Sequence, residues 1–155
     1  MTAAPFADSA TVAPGAAAAH DNVGVVSVTR APAGSSFPLG TTTVTWTATD
    51  AAGNAAHASQ HVTVKRASVH DELAALAALI DSWNLRRPAD RRFDHRIAEL
   101  ERALDRGDRR ALCAGLVDLA RRAVKDAGRE LTPAEAAIVV VDAARIAVHA
   151  GCSVT

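Results

Sequence analysis

Residues 41–50 read TTTVTWTATD, and this stretch decides the fold of the first part of the chain. Val44, Trp46 and Ala48 alternate with threonines, so the apolar side chains fall on one face and the hydroxyls on the other. Strict alternation that is rich in Thr and Val predicts a β-strand with one face buried and one face in water. Trp46 is therefore expected in the core.

The segments around this strand predict antiparallel partners. Residues 58–64 repeat the alternation less cleanly, because Gln60 interrupts the apolar row. Asp50 and Gly53 are typical of a tight turn between the two strands, since Gly supplies positive φ and Asp accepts backbone N–H bonds. An earlier strand is predicted near residues 23–29. Together these segments predict a small antiparallel β-sandwich within residues 1–66.

The second part of the chain has a helical period. Beyond residue 66, Gly and Pro become sparse, and apolar residues recur at steps of three and four in four successive segments. The predicted buried positions are Val69, Leu73, Leu76, Ile80 and Trp83; then Phe93, Ile97, Leu100 and Leu104; then Leu112, Leu116, Leu119 and Ala123; and finally Ile138, Val141, the stem of Arg145, and Val148. Short connections between helices of similar length predict an up-down four-helix bundle over residues 67–155. The predicted fold class is α+β in two segregated domains.

Composition narrows the function. Of the 155 residues 49% are hydrophobic, which excludes a disordered polyelectrolyte. The 17 basic and 17 acidic residues balance, so no overall field attracts nucleic acid or an anionic membrane. The longest apolar run, residues 73–80, is too short to span a bilayer. We therefore predict no nucleic-acid partner and no membrane insertion, and no motif indicates a cofactor or metal.

A dense motif surrounds the predicted strand at residues 41–50. It consists of Phe37, Pro38, Gly40, Thr41, Thr42, Val44, Ala48, Asp50, Gly53 and Asn54, with Asp21-Asn22 upstream. In these residues the stretch 35–64 resembles the HYR (hyalin repeat) family, which implies an immunoglobulin-like β-sandwich from an extracellular protein. Val23, Arg30, Trp46 and Ala58 stand where many HYR relatives have cysteine, so the resemblance implies a sandwich without its usual disulfides.

The first residues depart from that family. Met1–Ala19 is rich in Ala and Pro, contains no recognisable opening strand, and lacks the pattern of a secretory signal. We expect this segment to be poorly ordered, and the sandwich is predicted either with its first strand or without it. The chain is interpreted as the C-terminal piece of a longer secreted protein, or as one whose start at Met1 is misassigned.

A second set of residues lies in the helical part. It includes Leu85, Leu100, Ala103-Leu104, Arg106-Gly107-Asp108, Cys113, Leu116, Gly128, LTPAEA at 131–136, and Gly151-Cys152. In these residues the helical part resembles the FIMAH-type module at the C-termini of secreted bacterial proteins. The resemblance implies a non-catalytic tail, since in relatives such tails follow hydrolase, dehydrogenase or adhesive domains.

Cys113 and Cys152 are predicted to form a disulfide. Cys113 lies in the first turns of the third predicted helix, and Cys152 follows the end of the fourth. In an antiparallel pair the start of one helix is level with the end of the next, so both sulfurs fall at one pole of the bundle. Such a bond indicates an oxidising compartment. The alternative is two buried, reduced thiols in a cytosolic protein.

Several polar groups are candidate sites. Arg86, Arg87, Arg91, Arg92 and Arg96 form a basic patch that could bind an anion, although interleaved carboxylates favour a solvated face. His57, His61 and His70 lack further ligands for zinc, and Asp50 with Asp21-Asn22 offers too few oxygens for calcium. His149 precedes Cys152 by three residues, without a third group for thiol catalysis. Were Trp46 on an open face, it could stack on a sugar ring.

The predicted function is a non-catalytic accessory module that acts in adhesion or as a spacer. Its location is predicted to be extracellular or at the cell surface, with a surface protein or polysaccharide as partner, and its oligomeric state is left open. The alternative is a carbohydrate-binding appendage of a secreted hydrolase or dehydrogenase.

Overall fold

The computed structural model describes residues 1–20 and 24–153, and for Arg87 and Pro88 it describes the backbone alone. Asp21-Asn22 and Val23, on which part of the HYR resemblance rests, lie outside the described residues. The chain divides into two compact units, Met1–Arg66 and Ala67–Thr155, which we call the β unit and the helical unit. Strands occupy the first and helices the second, so the α+β class is confirmed.

The β unit contains two antiparallel sheets. Its strands are β1 (Ser9–Thr11), β2 (Val25–Ala31), β3 (Ser36–Pro38), β4 (Gly40–Asp50) and β5 (Ala55–Val64). The strand order is β1-β3 in the small sheet and β2-β4-β5 in the large one. Residues 41–50, whose alternation predicts a strand, therefore belong to the central strand of the larger sheet.

The turn between β4 and β5 forms as its residues predict. The Asp50 carboxylate accepts hydrogen bonds from the backbone N–H groups of Ala52 and Asn54 at 2.9 and 2.8 Å, and from the Asn54 side chain at 2.7 Å. Gly53 has a φ of 87°, which an L side chain rarely adopts. The Asn54 side chain, together with the backbone N–H bonds, keeps the pKa of Asp50 below its usual range, so this carboxylate stays charged.

The core of the β unit lies at one end of the large sheet. Phe37 of β3 is fully buried against Val44, Val62 and Val64, and Ala3 belongs to the same cluster. Partly buried residues from the first segment, including Ala10 and Val12, pack against it. The small sheet thus covers this end of the large one.

The expected disorder of Met1–Ala19 does not hold for its first twelve residues. Ala3 donates its N–H to the carbonyl of Lys65 at 2.8 Å, and Met1 accepts from the Lys65 N–H at 2.9 Å. Ser9–Thr11 pairs with β3 as an antiparallel strand. A first strand is present, although its three residues are too few to show an alternation in the sequence.

The helical unit contains α1 (Val69–Ser82), α2 (Arg87–Asp105), α3 (Arg109–Asp126) and α4 (Pro133–His149). Ser68 with Asp71 and Thr132 with Glu135 form capping boxes, and Asp108 accepts from the N–H of Ala111. Each helix packs on the next in sequence, and α4 also packs on α1. No helix in the described part of the chain is long and apolar enough to cross a membrane.

The predicted buried face is confirmed for the first three helices, although Val69, Trp83 and Leu104 at its ends are only half-buried. It is wrong for the fourth. Ile138, Val141 and Val148 are 40, 50 and 66% exposed, and Arg145 is exposed as well. The residues of α4 that are buried instead are Ala136, Val139, Asp142, Ala143 and Ile146. The run IVVV at 138–141 puts an apolar residue in every helical phase, so periodicity alone does not determine which face packs. The exposed Val148 lines an open apolar groove between α3 and α4.

Candidate functional site

The end of the large sheet away from the core is open. Trp46, Ala48, Ala56, Ala58 and Val28 line a cavity of about 890 Å³ there, because the short strands β1 and β3 do not reach this far. Residues 17–20 form another wall. An apolar floor at an open sheet face is an unusual surface for a soluble domain, and such surfaces often mark binding sites.

Trp46 lies at the boundary between the core and this cavity. It is half-buried, so the expectation of a core residue holds only in part. Its indole Nε1 donates a hydrogen bond to Gln60 Oε1 at 3.2 Å, which explains why Gln60 interrupts the apolar row of β5. The guanidinium carbon of Arg30 lies 6.0 Å from the ring centroid, within range of a cation–π contact.

A row across the large sheet runs through Trp46, at positions where the resemblance to HYR domains led us to expect cysteine in relatives. Trp46 is paired with Arg30 on β2 and with Ala58 on β5. Arg30 Nη1 also donates to the carbonyls of Pro32 and Gly34 at 3.3 and 3.1 Å. Within the row, the Arg30 guanidinium and the Trp46 ring are thus in cation–π range, and the same guanidinium is held by the loop that follows β2.

The rim of the cavity is polar. Asp50 and Asn54 lie at its edge, in the turn between β4 and β5. An aromatic ring in an apolar floor, with hydrogen-bonding groups around it, is the combination that a pyranose ring requires. The Trp46 cavity is thus a candidate carbohydrate site.

The opposite face of the same sheet is a polar array. Thr43 Oγ1 lies 3.2 Å from His61 Nδ1, and Thr47 Oγ1 lies 3.0 Å from His57 Nδ1. Each imidazole is thus hydrogen-bonded to a threonine on the neighbouring strand.

Among the described residues, the one set of potential metal ligands that converges is Asp81, Asp90 and Asp94 in the helical unit. Partial desolvation, then the charges of Asp90 and Asp81, raise the pKa of Asp94. Within the described part of the chain, no His or Cys belongs to this cluster.

The basic patch is assembled differently from the sequence prediction. Arg91, Arg92 and Arg96 of α2 line a cleft of about 800 Å³, whose other side is formed by α3. Arg86 is exposed at the N-cap of α2 and does not line this cleft, and the side chain of Arg87 lies outside the described residues.

The third helix contributes basic residues that the sequence analysis missed. Arg121, Arg122 and Lys125 face Arg91, Arg92 and Arg96 across the cleft. Lys125 follows Arg121 by four residues and Arg122 by three, the spacings at which side chains are neighbours on a helix surface. The predicted antiparallel order of the helices would have brought these side chains to the patch. This signal was present in the sequence, but it required the two helices to be considered together.

The disulfide is confirmed. Cys113 and Cys152 are bonded, with Cα atoms 5.6 Å apart, and the described chain contains no free cysteine. His149 is not positioned as a base for Cys152, because its Nδ1 lies 3.0 Å from Glu72 Oε2 on α1. Glu72 is 2% exposed, so this contact supplies a partner for a buried carboxylate.

The β unit matches a known family. Residues 6–64 match the HYR domain family. The match covers β1 to β5 and includes the Trp46 cavity, and HYR domains are extracellular modules of an adhesion type. No family match covers the helical unit, so the FIMAH resemblance is not confirmed. No curated protein and no solved structure matches the chain.

Proposed function

We propose that the protein is a non-catalytic accessory module that works outside the cell, where it attaches a larger protein to a surface or holds it at a distance. The observation that carries this proposal is the HYR match over residues 6–64, since that family consists of extracellular adhesion-type modules. The chain is proposed to be the C-terminal part of a longer secreted protein, with residues 67–155 as a FIMAH-like tail.

The disulfide supports the proposed location. A bond between Cys113 and Cys152 persists in secreted and surface proteins and is rare in the cytosol, where thiols are kept reduced. Alkylation of the native protein, followed by mass spectrometry, should find no free thiol, and immunoblotting should find the protein outside the cell. A cytosolic pool with two alkylated cysteines would contradict the location.

Adhesion is tested directly with fluorescently labelled full-length protein. Binding to intact bacterial cells should saturate, and excess unlabelled protein should displace it. Binding that rises linearly, or that unlabelled protein leaves unchanged, would contradict an adhesive role. A broad hydrolase screen tests the non-catalytic assignment, and turnover of any substrate by the purified chain would refute it.

Carbohydrate binding at the Trp46 cavity is the second candidate function. It is favoured by the half-buried indole in an open apolar floor with a polar rim. A glycan array would identify the sugar, and fluorescence would locate the site, because Trp46 and Trp83 are the only tryptophans. With Trp83→Phe the sugar should perturb the remaining emission, whereas with Trp46→Phe it should not. The same response in both variants would exclude the cavity.

A further inference from the structure

The cleft between α2 and α3 gathers positive charge in a unit without net charge. From residue 67 to the C-terminus, 14 Lys and Arg face 14 Asp and Glu. Six of those cations nevertheless line this one cleft: Arg91, Arg92, Arg96, Arg121, Arg122 and Lys125. Two carboxylates, Glu99 and Asp118, line it with them. The separation of charge is therefore a product of helix pairing and not of composition.

Some of these cations are already satisfied. Arg96 donates to Glu99 at 3.1 Å and lies 2.9 Å from Asp118 on α3. Asp126, which is 7% exposed, lies 3.1 Å from Arg122 Nε and 3.9 Å from Arg92 Nη2. The Arg96–Asp118 and Arg92–Asp126 pairs connect the two helices across the cleft.

The remaining cations have no such partners. Among the described residues, Arg91, Arg121 and Lys125 have no acidic group within 4.0 Å, and all three are exposed. Arg92 Nε is buried and makes no hydrogen bond. A buried donor without a partner costs free energy, so it is rare unless a ligand satisfies it. The cleft thus holds three unpaired positive charges and one unsatisfied hydrogen-bond donor. Together these groups can bind an anion.

The basic surface continues along the seam between the two helices. A second depression of about 600 Å³ shares His95, Arg96 and Glu99 with the first, and adds Arg102 and Arg106. From Arg91 to Arg106 the helix advances about 22 Å at 1.5 Å per residue. A groove of this length accommodates several units of a linear polymer rather than one small anion.

The lining distinguishes between classes of polyanion. Among the described residues that line the two depressions, His95 is the only aromatic side chain, and it lies 3.3 Å from Glu99. The groove therefore lacks the succession of aromatic rings on which single-stranded nucleic acid stacks. Glu99 and Asp118 interrupt the row of cations and would repel an unbroken line of phosphates. The same carboxylates can accept hydrogen bonds from hydroxyl groups. A chain that has spaced anionic groups separated by hydroxyls satisfies both kinds of residue.

We propose that the groove between α2 and α3 binds an acidic polysaccharide, whose sulfate or carboxylate groups pair with Arg91, Arg121 and Lys125. This site lies in the helical unit and does not depend on the function proposed for the β unit.

The test measures binding of polysaccharides to the immobilised full chain. Dextran sulfate and neutral dextran share a backbone, and polygalacturonate supplies carboxylate in place of sulfate. One or both acidic polymers should bind, with an affinity that falls as salt rises, and neutral dextran should not. The double variant Arg91→Gln/Arg121→Gln should weaken binding about tenfold, which corresponds to about 1.4 kcal/mol. A loss of this size is typical when two exposed charge pairs are removed.

A matched variant controls for net charge. Arg110→Gln/Arg129→Gln also removes two exposed arginines, but neither lines the groove. The affinity of this control variant should stay within twofold of that of the unmodified protein. Both double variants should have the melting temperature of the unmodified protein. Equal weakening by the two variants, or no binding of either acidic polymer, would overturn the proposal. Tighter binding of oligo-dT than of both acidic polymers at equal salt would overturn the polysaccharide assignment.

Discussion

Removal of the Cys113–Cys152 disulfide should destabilise the helical unit strongly. The bond joins the start of α3 to the end of α4 across 39 residues of sequence. In the chain-entropy model, closing a loop of about 40 residues removes about 4 kcal/mol of conformational freedom from the unfolded state at 25 °C. For a domain of this size, that change corresponds to a fall in melting temperature on the order of 15 °C or more.

The two tryptophans make the measurement specific. Trp83 follows α1 and Trp46 lies in β4, so a Trp46→Phe background reports unfolding of the helical unit alone. In that background, Cys113→Ala/Cys152→Ala should melt at the lower temperature. Reductant should bring the unmodified cysteines to the same midpoint and should leave the double variant unchanged.

The reasoning has a clear point of failure. If the oxidised protein and the double variant melt within 2 to 3 °C of each other, the bond does not restrict the unfolded chain as the loop length requires. If reductant destabilises the double variant as well, the effect does not come from this bond.

Other predictions concern packing and charge. Val139→Ala should lower the free energy of unfolding by about 2 kcal/mol, because Val139 is fully buried. Val141→Ala should lower it by less than about 0.5 kcal/mol, because Val141 is 50% exposed, and chemical denaturation would measure both. Phe37→Ala should cost about 3–5 kcal/mol in the β unit, and the half-buried Trp46→Ala about half as much, as thermal melts would show. Burial raises the pKa of Asp142, although the nearby charge of Arg145 acts in the opposite direction. The charged form of Asp142 therefore destabilises the folded state at pH values above its ordinary pKa of 3.8. Asp142→Asn should therefore raise the melting temperature at pH 7 and have little effect near pH 3; an equal gain at both would contradict this.

Local patterns explain which expectations succeeded. Alternation at residues 41–50 is produced by the pleat of a single strand, and the Ser68 and Thr132 caps act within one helical turn. These features need no knowledge of distant residues, so the three longer strands and the four helices could be predicted. The disulfide followed from one further step, because antiparallel helices of similar length bring their alternate ends together.

The expectations that failed depended on partners. The buried face of α4 is selected by its neighbouring helices, because residues 138–141 are apolar in every phase. Ser9–Thr11 becomes a strand only through pairing with Ser36–Pro38, and three residues are too few to show a period. The role of Gln60 was equally hidden, since its hydrogen-bond partner lies 14 residues away on another strand.

By itself, the sequence determined the division into a β unit and a helical unit, the main strands and all four helices, and the pairing of its two cysteines. The tertiary structure alone decided that the Trp46 end of the sheet is open and that Arg91, Arg121 and Lys125 share one groove. The physical reason is the range of the forces involved. Secondary structure is set by periods and caps within a few residues, whereas a binding surface depends on which faces remain after all elements have packed.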